Sequence, residues 1–204
     1  MGTSSDIKAT TITADTVALD ADGISTAASV GNNAALTIGG ALADSGSVTL
    51  SHGRIVTILS AGDDSGISFT VVGTDVNGDA QTETITGANA GTATGSKYFL
   101  TITSITAVGN PAGNVSAGIN ASASDVIFAG RSRLRGAYYT STATAGTVDL
   151  LNTSPTGLSI MKISSVASAT ATRNITVPSD GVLFDSGIYI QYTVSTFLTL
   201  TIFH

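Results

Sequence analysis

Glutamate and lysine, from which exposed helices are commonly built, are almost missing from this chain. Of 14 acidic residues only Glu83 is a glutamate, and the lysines are Lys8, Lys97 and Lys162. The glutamate–lysine pairs that support a solvated helix face therefore cannot be assembled. Threonine, serine, alanine and glycine take their place. Threonine is β-branched and suits a solvated pleated surface, and the 23 glycines suit turns. These residues point to an all-β chain.

Strand patterns bear this out from Ala34 onward. Residues 54–60 (RIVTILS) are apolar on both faces apart from Arg54 and the ends, which predicts a central strand. In 67–73, Ile67, Phe69 and Val71 share one face, with Ser68 and Thr70 on the other. Asn77-Gly78 then separates two strand-like runs and predicts a two-residue type I′ hairpin. On the returning strand Thr82, Thr84 and Thr86 share a solvated face. Tyr98, Leu100 and Ile102 begin the next run, and the apolar phase slips to Ile105, which predicts a bulge near Thr103-Ser104. Further on, Ile188, Ile190, Tyr192 and Val194 share a face, as do Leu198, Leu200 and Ile202. About a dozen short strands with turn signals every 8–12 residues predict antiparallel sandwiches or barrel-like modules.

Three regions are expected. Residues 1–33 hold only isolated apolar residues and read as an extended N-terminal arm, with Val17, Leu19 and Ile24 as anchors on a neighbouring molecule. Residues 34–128 form a first β-sandwich module and 129–204 a second. At the junction, Arg131, Arg133 and Arg135 place three of eight basic residues within five positions. Arginine is enriched at protein interfaces and binds carboxylates bidentately, so this cluster is read as a protein–protein contact.

The net charge of −6 gives no electrostatic footprint for nucleic acid or for anionic membranes. The start, MGTSSDIKATTI, lacks the apolar core of a signal peptide, and no run approaches a membrane span. Without cysteine there is no thiolate chemistry. His52 alone is placed to serve as a base and reads better as a turn residue. There is no G-x-S-x-G elbow, no phosphate loop, and no carboxylate pair for glycoside hydrolysis. Asp75 to Asp79 falls short of a calcium loop, because its glycine comes too early and Thr84 stands where glutamate is required. The chain is thus expected to be neither an enzyme nor a binder of cofactors or metals.

The segment TVVGTDVNGDAQTETITGANAGTATGSKYFLTITSITAVG (70–109) resembles a family of small structural proteins of tailed bacteriophages, many of them marine. RLRGAYYTSTATAGTVDL (133–150) and PSDGVLFDSGIYIQYT (178–193) are similar to the second module of such proteins. The resemblance brings no catalytic residues. It implies a virion component and leaves its place on the virion open. The first expectation is a capsid decoration (cement) protein, assembled in the host cytoplasm. Its partners would be the major capsid protein and copies of itself, as a homo-oligomer in the particle. A tail component (tube, adaptor or fibre-associated protein) is the alternative. An exported adhesin or carbohydrate-binding module is a further one, disfavoured by the few aromatic residues, most in strand-core phase.

Overall fold

The computed structural model describes residues 7–13, 20–120, 124–154, 157–178, 180–193 and 196–204, with the side chains of residues 124 and 125 left aside. All regular structure in them is strand. The chain divides into two compact units. A terminal unit comprises Met1–Thr16 and Ala123–His204, and a central unit comprises Val17–Ser122. In chain order, β1 (Ala9–Thr13) belongs to the terminal unit. The central unit holds β2 (Asp20–Ser29), β3 (Ala43–Asp44), β4 (Ser47–Ser60), β5 (Ser68–Thr74), β6 (Ala80–Thr86), β7 (Thr92–Val108) and β8 (Asn114–Ile119). The terminal unit resumes with β9 (Ser124–Ala129), β10 (Ser132–Leu134), β11 (Gly136–Ser141), β12 (Gly146–Asn152) and β13 (Ser159–Ser165). It ends with β14 (Thr172–Thr176), β15 (Val182–Phe184), β16 (Gly187–Tyr192) and β17 (Phe197–Phe203).

In the central unit the antiparallel order is β6-β5-β7-β4-β8-β2, with β3 pairing the start of β4. As residues 54–60 predict, β4 is central: Val56, Thr57 and Ile58 are all buried, and the strand pairs both β7 and β8. Phe69 and Val71 are fully buried, while Thr82, Thr84 and Thr86 face solvent. The bulge falls at Thr103, where Val72 pairs Ser104 and Gly73 pairs Ile102.

Other details differ from expectation. Phe99, not Tyr98 or Leu100, joins the core cluster with Ile102 and Ile105. The pairing of β4 with β7 shifts register between Thr49 and Arg54, and a slipped register exchanges the faces. His52 lies buried inside that irregular stretch of β4 rather than in a turn. The Asn77-Gly78 loop has three residues, not two. Asp75 N–H donates to the Asp79 carbonyl at 2.9 Å and Gly78 N–H to the Asp75 carbonyl at 3.1 Å. The Asp75 carboxylate also accepts the Asn77 and Asp79 N–H groups at 2.8 and 3.0 Å. Only Gly78 takes a left-handed φ, +86°. This is a turn closed by a glycine bulge, selected over type I′ by the Asp75 side chain. The two-residue hairpin with both φ positive is instead at Ser45-Gly46, between Asp44 and Ser47. Gly78→Val is expected to destabilise the central unit by about 1 kcal/mol or more, because a β-branched residue resists φ > 0. Urea titration measures this.

The terminal unit is a two-layer arrangement. One four-stranded sheet runs β1-β17-β11-β14, and β13-β12-β16-β9 run side by side in the other layer. Ile12, Tyr139, Leu200 and Ile202 from the first share one core with Val148, Leu150, Ile188 and Ile190 from the second. Ile188, Ile190 and Tyr192 face inward together, as their alternation requires. Leu198 does not. A register shift between Thr140 and Ser141 sends Phe197 inward and leaves Leu198 56% exposed. Val194 lies outside the described residues.

The expected arm at 1–33 is not one. β1 adds to the edge of β17 with Ile12 buried, and β2 adds to β8 with Ile24 buried. The N-terminal stretch thus supplies one edge strand to each unit. The division before Ala123 puts β9 in the terminal unit, so the modules are not 34–128 and 129–204. The arginine cluster consequently lies within one unit, not at a junction. A strand needs only one or two apolar residues when the rest of its core comes from neighbours, and a count of apolar residues overlooks that.

Candidate interaction surfaces

Arg133 lies in β10, with Arg131 and Arg135 just outside its two ends, while Leu134 points into the core with no exposure. β10 pairs β15 antiparallel, with Arg133 opposite Leu183. The three arginines, Ile7, Ser132, Leu183 and His204 line an open pocket with a volume of about 230 Å³. The two ends of the chain's path through this unit meet here. Lys8 and His204 exchange backbone hydrogen bonds at 2.8 and 2.9 Å, and Arg135 N–H donates to the Phe203 carbonyl at 2.7 Å.

The His204 ring is held on several sides. It lies 5.1 Å from the Phe128 ring, centroid to centroid and tilted by 47°. Its Nε2 is 3.0 Å from Thr10 Oγ1, and its Nδ1 is 3.5 Å from Ser132 Oγ. Burial, reinforced by the Lys8 charge, lowers its pKa from the usual 6.5. The sign of the pH effect follows. Between the unfolded value near 6.5 and the lower folded value, the unfolded chain binds more protons, so stability falls as pH falls through that window. His204→Asn is expected to flatten this part of the stability profile, as read by melting temperatures from about pH 8 to pH 5.

Arg133 donates long hydrogen bonds, at 3.5 and 3.4 Å, to the carbonyls of Asp180 and Gly181. Among the described residues the ion pair seen is Lys162 with Asp149, far along the chain from the pocket. Arg131 is exposed, and Arg133 and Arg135 are half-buried.

A second surface is the outer face of the β1-β17-β11-β14 sheet. The register places Thr13, Thr199, Thr140 and Thr172 in one row across all four strands. The next row is Thr11, Thr201, Tyr138 and Asn174, and the third is Ala9, Phe203, Gly136 and Thr176. None of these positions is charged. Thr11 and Thr201 share a hydroxyl hydrogen bond at 2.8 Å, and Tyr138 is 42% exposed. The alternation that buries Ile12, Leu200 and Tyr139 turns these side chains outward.

Of the interaction residues expected from sequence, the structure thus brings Arg131, Arg133 and Arg135 together. It puts Ile24 in the central core, which removes it as an anchor for a neighbour. Val17 and Leu19 lie outside the described residues. Ile7, Leu183 and His204 were not legible as pocket residues, because only the pairing of β1 with β17 and of β10 with β15 brings them together. No cluster of metal-ligating side chains occurs among the described residues. Comparison with known protein families, curated proteins and solved structures finds no match to this chain.

Proposed function

We propose that this chain is a structural component of a virus particle, foremost a decoration protein bound to the outside of a phage head. The observation that carries the reading is the charge-free threonine face of the terminal unit. In typical soluble domains about a quarter of all residues are charged, whereas charged residues are 11% of this chain. Threonine hydroxyls both donate and accept hydrogen bonds, and their short side chains lose less entropy on docking than lysine or glutamate would. Such a face suits contact with another protein surface. The resemblance of 70–109, 133–150 and 178–193 to phage structural proteins supports the same reading.

Area decides how such contacts would hold. Three rows across four strands cover about 400 Å², taking strand spacing and rise into account. A standard stable interface buries about 800 Å² on each partner. One face alone therefore binds weakly, and stable decoration requires further contacts, with the shell or with copies of the chain, acting together. The role is mechanical: each copy bridges neighbouring shell subunits and opposes outward pressure.

The test is cosedimentation with heads stripped of this protein. Wild-type chain should bind saturably. Tyr138→Glu, in the middle of the face, should keep its melting temperature and lose at least about tenfold in affinity, the order expected at an interface centre. Undiminished binding by Tyr138→Glu contradicts the proposed face, and absence of wild-type binding contradicts the decoration role.

A further inference from the structure

We propose that the Arg131–Arg133–Arg135 pocket is a socket for an extended protein segment carrying Asp or Glu at alternating positions; this rests on reading the chain as an assembly protein. The three arginines stand two residues apart and line one pocket, Arg133 within β10 and Arg131 and Arg135 just outside its two ends; two residues of extended chain span about 7 Å. Carboxylates at alternate positions of an extended partner repeat at the same interval, so the two sets match in register. Each guanidinium presents a planar fork of N–H groups that can donate two parallel hydrogen bonds to one carboxylate. The hydroxyl of Ser132 and the apolar side chains of Ile7 and Leu183 also line the pocket, which gives a partner backbone something other than charge to rest on.

Carboxylates are favoured over a nucleic-acid backbone for a physical reason. The socket is short and its surroundings are acidic: Asp180 and Asp185, both exposed, flank β15 on either side. The chain as a whole carries −6. A long polyanion would leave the socket and run over like charge, whereas a short acidic segment ends within it.

The experiment is calorimetric titration of the full chain at low salt with a capped heptapeptide of alternating threonine and aspartate. Parallel titrations use the same composition with its three aspartates contiguous, inorganic phosphate and a short oligothymidylate. The expected result is one-to-one binding of the alternating peptide, at least about fivefold tighter than the contiguous one and weakening with salt. Arg133→Lys should weaken it, because lysine cannot bind bidentately, and the Arg131→Gln/Arg133→Gln double variant should abolish it with an unchanged melting temperature. The inference is overturned if no peptide binds, if the double variant binds equally, or if phosphate or oligothymidylate binds more tightly. Cosedimentation separates this from the decoration role. Stripped heads bound equally by wild type and double variant sink the socket as an assembly contact and leave the role intact. Peptide binding without head binding does the reverse.

Discussion

Removal of residues 1–30 is expected to abolish folding of the isolated chain. The deletion takes β1 from the terminal unit and β2 from the central unit, together with the fully or nearly fully buried Ile12 and Ile24. A smaller change isolates the central part of this effect. Ile24 has no exposure and sits in the central core cluster, so Ile24→Ala is expected to cost about 3 kcal/mol, within the usual range for truncating a buried isoleucine. The close approach of β2 to β8 offers an independent check. A Cβ at Gly118 would lie 1.7 Å from the Asp20 carbonyl oxygen, so Gly118→Ala must push β2 away from β8 and should destabilise the same unit. Urea unfolding of the three proteins reads all of this. A stable truncated chain, or an Ile24→Ala variant with unchanged stability, would show that the N-terminal stretch is no part of the folded units.

Glu83→Ala is expected to cost a similar amount, about 3 kcal/mol, from a residue whose type ordinarily lies on the surface. Glu83 shares the inward phase of β6 with the buried Ile85 and is itself only 8% exposed. Its Oε1 accepts the Ser96 N–H at 2.6 Å, the Ser96 hydroxyl at 2.8 Å and the Lys97 N–H at 3.2 Å. Nearby, Gln81 Nε2 donates to the Tyr98 carbonyl at 2.7 Å, and Lys97 Nζ to the Thr82 carbonyl at 2.8 Å. Side chains of β6 therefore fasten the first half of β7, where β5 has no residues paired to it. Alanine would leave these donors without acceptors, and an unsatisfied buried donor costs more than a made bond contributes. Glu83→Gln keeps one acceptor oxygen and should lose less. Equal losses for the two variants would show that the carboxylate is not the fastening group.

What the residues revealed in advance, and what they hid, follows from the range of the interactions. Alternation in 67–73 and 188–192 reports a face directly: Phe69, Val71, Ile188, Ile190 and Tyr192 are buried, and Ile67, ahead of β5, is half-buried. The same rule failed at Phe99 and Phe197, because irregular pairing shifts the phase where no residue type announces it. It failed also for β1 and β2, whose cores are completed by strands distant in the chain: Ala9 pairs Phe203 and Asp20 pairs Ile119. Glu83 was visible as the lone glutamate, but nothing local marked it as buried. In the pocket, the alternating arginines were legible as a cluster from their spacing alone. The contribution of His204 depends on a pairing between the first and last strands, which periodicity within a segment cannot express.

The proposed place of this chain is on a particle's outer surface. The most direct measurement is a cryo-electron-microscopy reconstruction of virus particles purified from cells that produce the chain. The expected result is density for both β units on the outside of the head lattice, repeated with the lattice, with the threonine face of the terminal unit turned toward a neighbouring protein. Density only along the tail axis, or a particle that lacks the chain altogether, would contradict it.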